Sequence, residues 1–457
     1  MSKLKKDVRP YEFMPASIDS TDKGISIAVK YEKNLENSIE KIPNGTRMRY
    51  PDRTLYGYRS FMPSHERVLN HPVDEILDMD IFTNKSLLSE MGFQFAMVNS
   101  SAMPATYLFK DHDKERKKDW PLIVSDSGGF QLHSGAEEFL DPNDIVDKHN
   151  RACDIGIALD LPLPHHFQKN LLLRAAAVQK SNTAVFLKKR RKSLQILNVF
   201  HGSTFYMRQK YRDVVEDDSI NRVALGGVKT LDLIPLILHA IFVITKGKKY
   251  EQYHVLGVSG LERWILLSYL GHKKIAKLIT SDSSSYIQCG IKMQYFEPHR
   301  LLSTLGLGDY LWQTNANRTL HCSCPVCSML KYTEALGSLD SVVGFRGVLH
   351  HNLFLTRAYL DEIWELGALS KGEIMSNLRP YFNPAKLKEI GLALQAVDMA
   401  LQDGVEASAK KYAPYLLDKF VGVERKGLYA TDQQDEGDKK RFNHFDGILK
   451  RYEKFHA

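Results

Sequence analysis

Seven short apolar, β-rich runs recur along the middle of this chain, and their rhythm constrains its fold more than any other feature. They cover residues 95–98, 122–124, 155–159, 196–200, 223–225, 254–258 and 278–279. Polar or glycine residues follow each run, and then usually a helix-like stretch such as 169–181 or 261–269. The spacing of about 22 to 42 residues is the size of a βα unit. Continuous rather than alternating apolar strands indicate a parallel sheet covered on both faces. Seven such units, with an eighth placed before residue 90 at about 58–61, predict a (β/α)8 TIM barrel. An open doubly wound sheet is the alternative, but it calls for an early glycine-rich phosphate loop, and the sequence has neither a GxGxxG nor a Walker motif.

At 457 residues the chain exceeds one ordinary domain and suits a barrel with appendages. Residues 1–54 are polar, broken by Pro10, Pro15 and Pro43, and read as an irregular extension. The barrel is expected over 55–300, a metal-clipped subdomain over 301–360, and a helical C-terminal extension over 361–457. Within that extension Asn383-Pro384 reads as a helix start, and the charged stretch 432–457 as a surface helix or tail. The longest apolar stretch, Leu233 to Thr245, is interrupted by Pro235 and His239 and is too short to cross a bilayer. No basic-then-apolar leader opens the chain, so secretion is not expected and a cytoplasmic, non-membrane protein is.

Of the five cysteines, three crowd into Cys322-Ser-Cys324-Pro-Val-Cys327, where neighbours make poor disulfides. With a later histidine, His351, they form a Cys3His set, the kind zinc fills in structural sites. A zinc hydrolase would want an open metal position, whereas such a set is usually closed. Cys153 and Cys289 read as small buried hydrophobes. The net charge of +8 is concentrated in clusters at Lys114/Arg116/Lys117/Lys118, Lys188-Lys189-Arg190-Arg191-Lys192, Lys248/Lys249 and Lys273/Lys274. Any one of these suits a solvated helix face; together they favour a polyanionic partner, nucleic acid above all.

The polar residues of the barrel region share one position, the C-terminal ends of strands. Asp126, Asp160, His201-Gly202, Gly226-Gly227, Gly257 and Asp282 each end or follow a run, and in a (β/α)8 barrel that rim is where active sites are built. A lone strand-terminal Asp is most simply a helix cap. Three of them beside a Gly-Gly and a His read as a site. Two carboxylates facing one bond suit glycosyl transfer, one attacking the anomeric carbon and one moving the leaving group's proton. A third could accept hydrogen bonds from a purine edge. Phe130 and Leu256, if they face each other, could sandwich a planar base; singly, each reads as a core residue.

The segments Ser125-Asp126-Ser127-Gly128-Gly129-Phe130-Gln131 (SDSGGFQ), Ala224-Leu225-Gly226-Gly227-Val228, Leu256-Gly257-Val258, the Asp282 strand end, the CxCxxC and His351-Asn352-Leu353 resemble the tRNA-guanine transglycosylases in order and approximate spacing. The resemblance spans about residues 55 to 360 and implies a (β/α)8 barrel with an inserted zinc subdomain, exchanging guanine in a polynucleotide for a 7-deazaguanine base. It implies Asp282 as nucleophile, Asp126 as general acid/base, and Asp160 as purine-edge acceptor. Gln131, Gly226 and Gly227 become further base contacts, with Phe130 as stacking residue. It also implies a structural Zn2+ held by Cys322, Cys324, Cys327 and His351, with His350 the adjacent rival. Four departures stand out. Residues 283–289, Ser-Ser-Ser-Tyr-Ile-Gln-Cys, replace the Pro-Thr-Arg segment that follows the nucleophile in the tRNA enzymes. His201 stands for a base-binding glutamine and Pro162 for a cysteine, and the archaeal enzymes' C-terminal RNA-binding module has no recognisable counterpart. The pattern resembles the DNA-guanine transglycosylases, which place a base such as preQ0 into DNA. DNA is therefore the expected partner, with tRNA the alternative and accessory proteins that open or scan DNA a further possibility. A non-catalytic transglycosylase-like subunit would not be expected to keep all three carboxylates.

Overall fold

Parallel strands form at all seven apolar runs: β2 (Phe95–Asn99), β3 (Leu122–Asp126), β4 (Ile155–Ile157), β5 (Gln195–Phe200), β6 (Arg222–Leu225), β7 (Gln252–Val255) and β8 (Ile279–Ser283). In this computed structural model the described residues are 11–15, 93–99, 121–134, 139–162, 169–229, 231–283, 286, 289, 294–296, 304–306, 341–412 and 436–457. An eighth strand, β1 (Tyr11–Pro15), pairs parallel with β8, placing Met14 opposite Asp282. β1 also lies against β2, so the sheet nearly closes into a barrel in the order β1-β8-β7-β6-β5-β4-β3-β2. The closing strand thus comes from the segment expected to be irregular. The earlier choice, 58–61, lies outside the described residues.

Because side chains alternate across a strand, each run serves two cores. Phe95, Met97, Val124, Ile155, Ile157, Leu197, Val199, Ala224 and Leu278 form one buried cluster inside the barrel. Ile123, Ile196, Val223, Leu225, Val255 and Ile279 belong to a larger core shared with the helices. Burial on both faces is why the runs read as continuously apolar.

The connecting helices are α1 (Gly129–Ser134), α2 (Pro142–Ala152), α3 (Lys169–Lys189), α4 (Phe205–Val215), α5 (Leu233–Thr245) and α6 (Leu261–His272). Nearly every residue of α5 is buried, since a further helix covers its outer side; a helix apolar all round is a buried one. Among the described residues no helix is long and apolar enough to cross a membrane. An antiparallel pair, β9 (Gln294–Phe296) and β10 (Thr304–Gly306), precedes the long helix α7 (Ser341–Gly367), which packs on α6. Next come α8 (Lys371–Leu378), α9 (Pro384–Gln402) and α10 (Glu436–His456), and α9 is the helix that covers α5. Asn383 caps α9 by accepting from Lys386 N (2.9 Å), with Pro384 at its first position.

The C-terminal helix differs from a plain surface helix. Phe445, Ile448, Leu449 and Tyr452 recur on one face and are buried. α10 docks on α3, where Arg174 donates to Glu453 (2.7 and 2.9 Å) and Asp446 (2.6 Å). Tyr452 also donates from its hydroxyl to the carbonyl of Leu140 (2.7 Å).

Candidate active site

Parallel pairing puts every strand's C-terminal end on one rim. Asp126 closes β3, Asp160 follows β4, His201 follows β5, Gly226-Gly227 follow β6, Leu256-Gly257 follow β7, and Asp282 stands near the end of β8. The ladder continues into these residues, with Gly226 N donating to Phe200 O (3.1 Å) and Leu256 N to Leu225 O (3.2 Å). The structure therefore brings the sequence-selected carboxylates to one mouth.

Asp126 is strongly perturbed. Burial first, then the negative charges of Asp160 and Asp282, raise its carboxyl from 3.8 to about 7. Hydrogen bonds from the Ser127 and Gly128 backbone oppose the rise and do not cancel it; Ser127 N lies 2.8 Å from Oδ1. Behind it, His149 on α2 donates from Nε2 to the backbone carbonyl of Asp126 (3.4 Å). Burial pushes His149 down to about 4, so this imidazole is neutral and supplies no cation to hold Asp126 ionised. A carboxyl that is half-protonated near neutrality suits a general acid/base.

Asp282 sits in a different environment. Its Oδ1 accepts from Gly257 N (2.6 Å) and from His254 Nε2 (3.1 Å). Both donors stabilise an ionised carboxylate and fix its orientation, and both fall on one oxygen. Sequence reasoning missed these donors. The available signal was the placement of His254 on the inward parity of a strand that otherwise reads as filler.

Asp160 is held from two sides. Its Oδ2 lies 2.7 Å from His201 Nε2, and its Oδ1 accepts from Ser127 Oγ (3.2 Å). Two glycines permit this closeness. A Cβ on Gly129 would fall 2.6 Å from Asp160 Oδ1, and one on Gly226 would fall 2.2 Å from the His201 ring. His201 is itself buried, edge-on to Tyr211, so it braces Asp160 rather than standing open at the mouth. Beneath it the buried Arg208 donates to the carbonyls of Phe200 (2.5 Å), Gly202 (2.7 Å) and Gly226 (3.2 Å), tying the β5 and β6 ends together. Leu256 is half-buried on top of the barrel-interior cluster. Gln131 is half-buried on α1; Phe130 also lies on α1, but its side chain is outside the described residues.

Cys322, Cys324 and Cys327 lie outside the described residues as well. His351 is buried on α7 and donates from Nε2 to Phe296 O (2.9 Å). That bond puts the ring's lone pair on Nδ1, and a carbonyl partner on the other nitrogen is the usual arrangement for a metal-bound histidine. Its chemistry thus fits the three thiolates as a fourth zinc ligand. Among the described residues no group of three or more such side chains is gathered around a metal position. Cys153 is buried as expected, its thiol donating to His149 O (3.4 Å), and Cys289 is half-buried.

Three of the four basic clusters lie away from this rim. Residues 188–192, Lys248/Lys249 and Lys273/Lys274 occupy turns that lead from helices into strands, at the opposite end of the barrel. Arg191 caps α2 by donating to the carbonyls of His149 (3.2 Å) and Cys153 (2.6 Å). Lys248 donates to the carbonyls of Asp217 (3.2 Å), Asp218 (2.7 Å) and Ile220 (2.9 Å). Lys273 pairs with Asp398 (3.1 Å). Arg191, Lys248 and Lys273 thus serve turns and helix ends, at the end of the barrel away from the site. The cluster at 114–118 lies outside the described residues. A rim cation is Lys229, exposed just after Gly226-Gly227, whose stem would lie 3.3 Å from a Cβ on Gly257.

A parallel α/β barrel with convergent rim carboxylates defines a class of enzyme-like site, and sequence similarity narrows it. Over 255 residues the chain is 24% identical to the tRNA-guanine(15) transglycosylase of Methanocaldococcus jannaschii, covering 53% of this chain and 36% of that protein. Over 252 residues it is 23% identical to the tRNA-guanine(15) transglycosylase of Methanococcus aeolicus, with the same coverage of 53% and 36%. The chain thus matches about a third of the length of these curated relatives. No family model matches the sequence.

Proposed function

We propose that this chain is a guanine transglycosylase, a pentosyltransferase that exchanges guanine in a polynucleotide for a 7-deazaguanine base such as preQ0. The observation that carries this reading is the contrast on one rim between Asp126, raised to about 7, and Asp282, held by two N–H donors. One carboxyl is equipped to move protons, the other to attack. The basic rim at Lys229 and the barrel mouth would receive a nucleotide turned out of its stack, as enzymes acting on a base require.

In the first step a carboxylate oxygen of Asp282 bonds to C1′ of the target nucleotide as the C1′–N9 bond breaks. The electron pair leaves with guanine, which takes the proton of Asp126. In the second step the incoming base gives its ring N–H proton to the Asp126 carboxylate. That nitrogen then bonds to C1′, and Asp282 departs as carboxylate. Two inversions give retention. Asp160, braced by His201 and Ser127, keeps lone pairs for the N–H edge of the purine, while Gly226, Gly227 and Gln131 supply further base contacts. Phe130 and Leu256 are assigned to the faces of the ring. No redox cofactor enters the scheme.

DNA is the polymer we assign, because residues 283–289 depart from the Pro-Thr-Arg segment of tRNA enzymes directly after the nucleophile. A second reading, tRNA, is favoured by the names of both relatives. Labelled preQ0 offered with plasmid DNA in one reaction and bulk tRNA in another separates them. Label in DNA alone supports the assignment, label in tRNA alone reverses it, and label in neither counts against base exchange by the chain on its own, leaving an accessory protein to be sought.

The zinc assigned to Cys322, Cys324, Cys327 and His351 is structural in this proposal, a clip on the segment between β10 and α7. Structural zinc sites contribute folding free energy directly. Cys324→Ser is therefore expected to lose bound zinc, measured by elemental analysis, and to melt at lower temperature or fail to stay soluble. A variant with full zinc content and an unchanged melting temperature would contradict the assignment.

A further inference from the structure

The two halves of the barrel interior differ in kind. From β2 to β5 it is packed with aliphatic and aromatic side chains, whereas from β6 to β8 a file of polar groups runs upward to Asp282. Arg222 Nε donates to Gln195 Oε1 (2.5 Å), and another guanidinium nitrogen donates to Gln252 Oε1. Gln252 Nε2 donates to Thr280 Oγ1 (2.9 Å). Thr280 Oγ1 lies 2.9 Å from His254 Nδ1, and His254 Nε2 lies 3.1 Å from Asp282 Oδ1. Each of these residues is at most 8% exposed, apart from the half-buried Gln195 at the far end.

The ends of the file set the direction of every proton within it. A guanidinium only donates and a carboxylate only accepts. Gln252 must therefore turn its carbonyl to Arg222 and its amide to Thr280. At the other end His254 must carry a proton on Nε2 to meet Asp282. A neutral ring then presents a lone pair at Nδ1, which takes the Thr280 hydroxyl proton. An imidazolium would instead direct Nδ1–H at an oxygen already receiving Gln252 and leave the buried Thr280 proton without that acceptor. A barrel that needed only filling would use aliphatic side chains here, since buried polar groups are costly unless paired. Register supports the same arrangement: His254 and Thr280 are direct partners across β7 and β8.

We propose that this file is a positioning device: it holds His254 as the Nε2–H tautomer and through it orients the Asp282 carboxylate for attack. The inference rests on Asp282 being the nucleophile. His254, Thr280 and Gln252 are positioning residues and touch no substrate. Their action on Asp282 lies in the orientation of Oδ1, which leaves its second oxygen directed by the same two donors.

The test uses Thr280→Val, which keeps the branched shape and removes the hydroxyl, beside Thr280→Ser, which restores it. Imidazole nitrogen NMR on the full chain should report, for His254 in wild type and Thr280→Ser, an Nε2–H ring whose Nδ1 accepts a hydrogen bond, and in Thr280→Val an Nδ1 resonance moved to the position of a ring nitrogen that has lost that bond. Exchange turnover should fall about 10- to 100-fold in Thr280→Val, the range seen when outer-shell partners of an ordered ligand are removed. KM for the nucleic acid should stay near wild type, and Thr280→Ser should recover most of the rate. Should Thr280→Val fail to fold, Gln252→Met, one hydrogen bond further from Asp282, is expected to move the Nδ1 resonance in the same sense by a smaller amount, with a smaller rate loss. An unchanged Nδ1 resonance overturns the inference, as does a changed resonance with unchanged turnover. A wild-type protein that performs no exchange would instead overturn the transglycosylase reading and the nucleophile-positioning role with it, while the NMR comparison would still decide whether the file sets the ring.

Discussion

Replacing Asp282 with asparagine is expected to abolish base exchange, by about 10^4-fold or more, the scale on which removal of a covalent nucleophile is felt. Asparagine is the informative choice because its carbonyl oxygen still accepts from Gly257 N and His254 Nε2, the two donors on Oδ1. Alanine would leave both buried donors without that acceptor and add a folding penalty to the kinetic one. The Asp282→Asn protein should therefore melt near wild type and bind nucleic acid with similar affinity. It should form no covalent protein–nucleic acid species when quenched during turnover and run on a denaturing gel. Loss of the Asp282 charge should also lower the Asp126 carboxyl, since that charge is one of the causes of its rise. An adduct that persists in the variant would place the nucleophile elsewhere.

Asp126→Asn is expected to lower exchange by about 10^2- to 10^4-fold, the usual contribution of a positioned general acid/base, and yet to stabilise the fold above neutrality. In the native state this carboxyl titrates at about 7, against its ordinary 3.8. Between those values the folded chain holds a proton that the unfolded chain has released. Stability from this group is therefore complete below about pH 4, declines as pH rises, and is lost by about pH 7, a span of about 4 kcal/mol. The asparagine variant lacks that decline and no longer repels Asp160 and Asp282. Thermal melts should show its advantage over wild type widening from pH 5 to pH 8. A gap that stays constant across this range would mean that Asp126 is not the group held protonated.

The barrel was legible because burial on both faces of a parallel sheet writes itself as continuous apolar runs, and because rim residues fall where those runs stop. β1 was not legible. The four residues between Pro10 and Pro15 carry too little pattern, and proline at a strand end is tolerated although it reads as a breaker. The rim carboxylates could be picked out one strand at a time, but the bracing of Asp160 by His201 depends on β4 and β5 lying side by side, which spacing alone does not report. The placement of the basic clusters was hidden for a related reason. Their charge is plain in the sequence, whereas their end of the barrel follows only from their place before a strand rather than after one. The same logic hid the polar file beneath Asp282. Gln252 and His254, and Thr280 and Asp282, alternate at period two on the inward parity, a signal that becomes meaningful once the inward face is known.

The most direct measurement is exchange of labelled guanine into polymer by the purified zinc-loaded chain, with both DNA and tRNA supplied. Guanine-for-guanine exchange needs no knowledge of the natural incoming base and reads only the displacement at C1′. The account predicts label entering one polymer in wild type, with strands left intact, and none with Asp282→Asn. Strand-intact label at wild-type level with Asp282→Asn, or no label in either polymer with wild type, would contradict it.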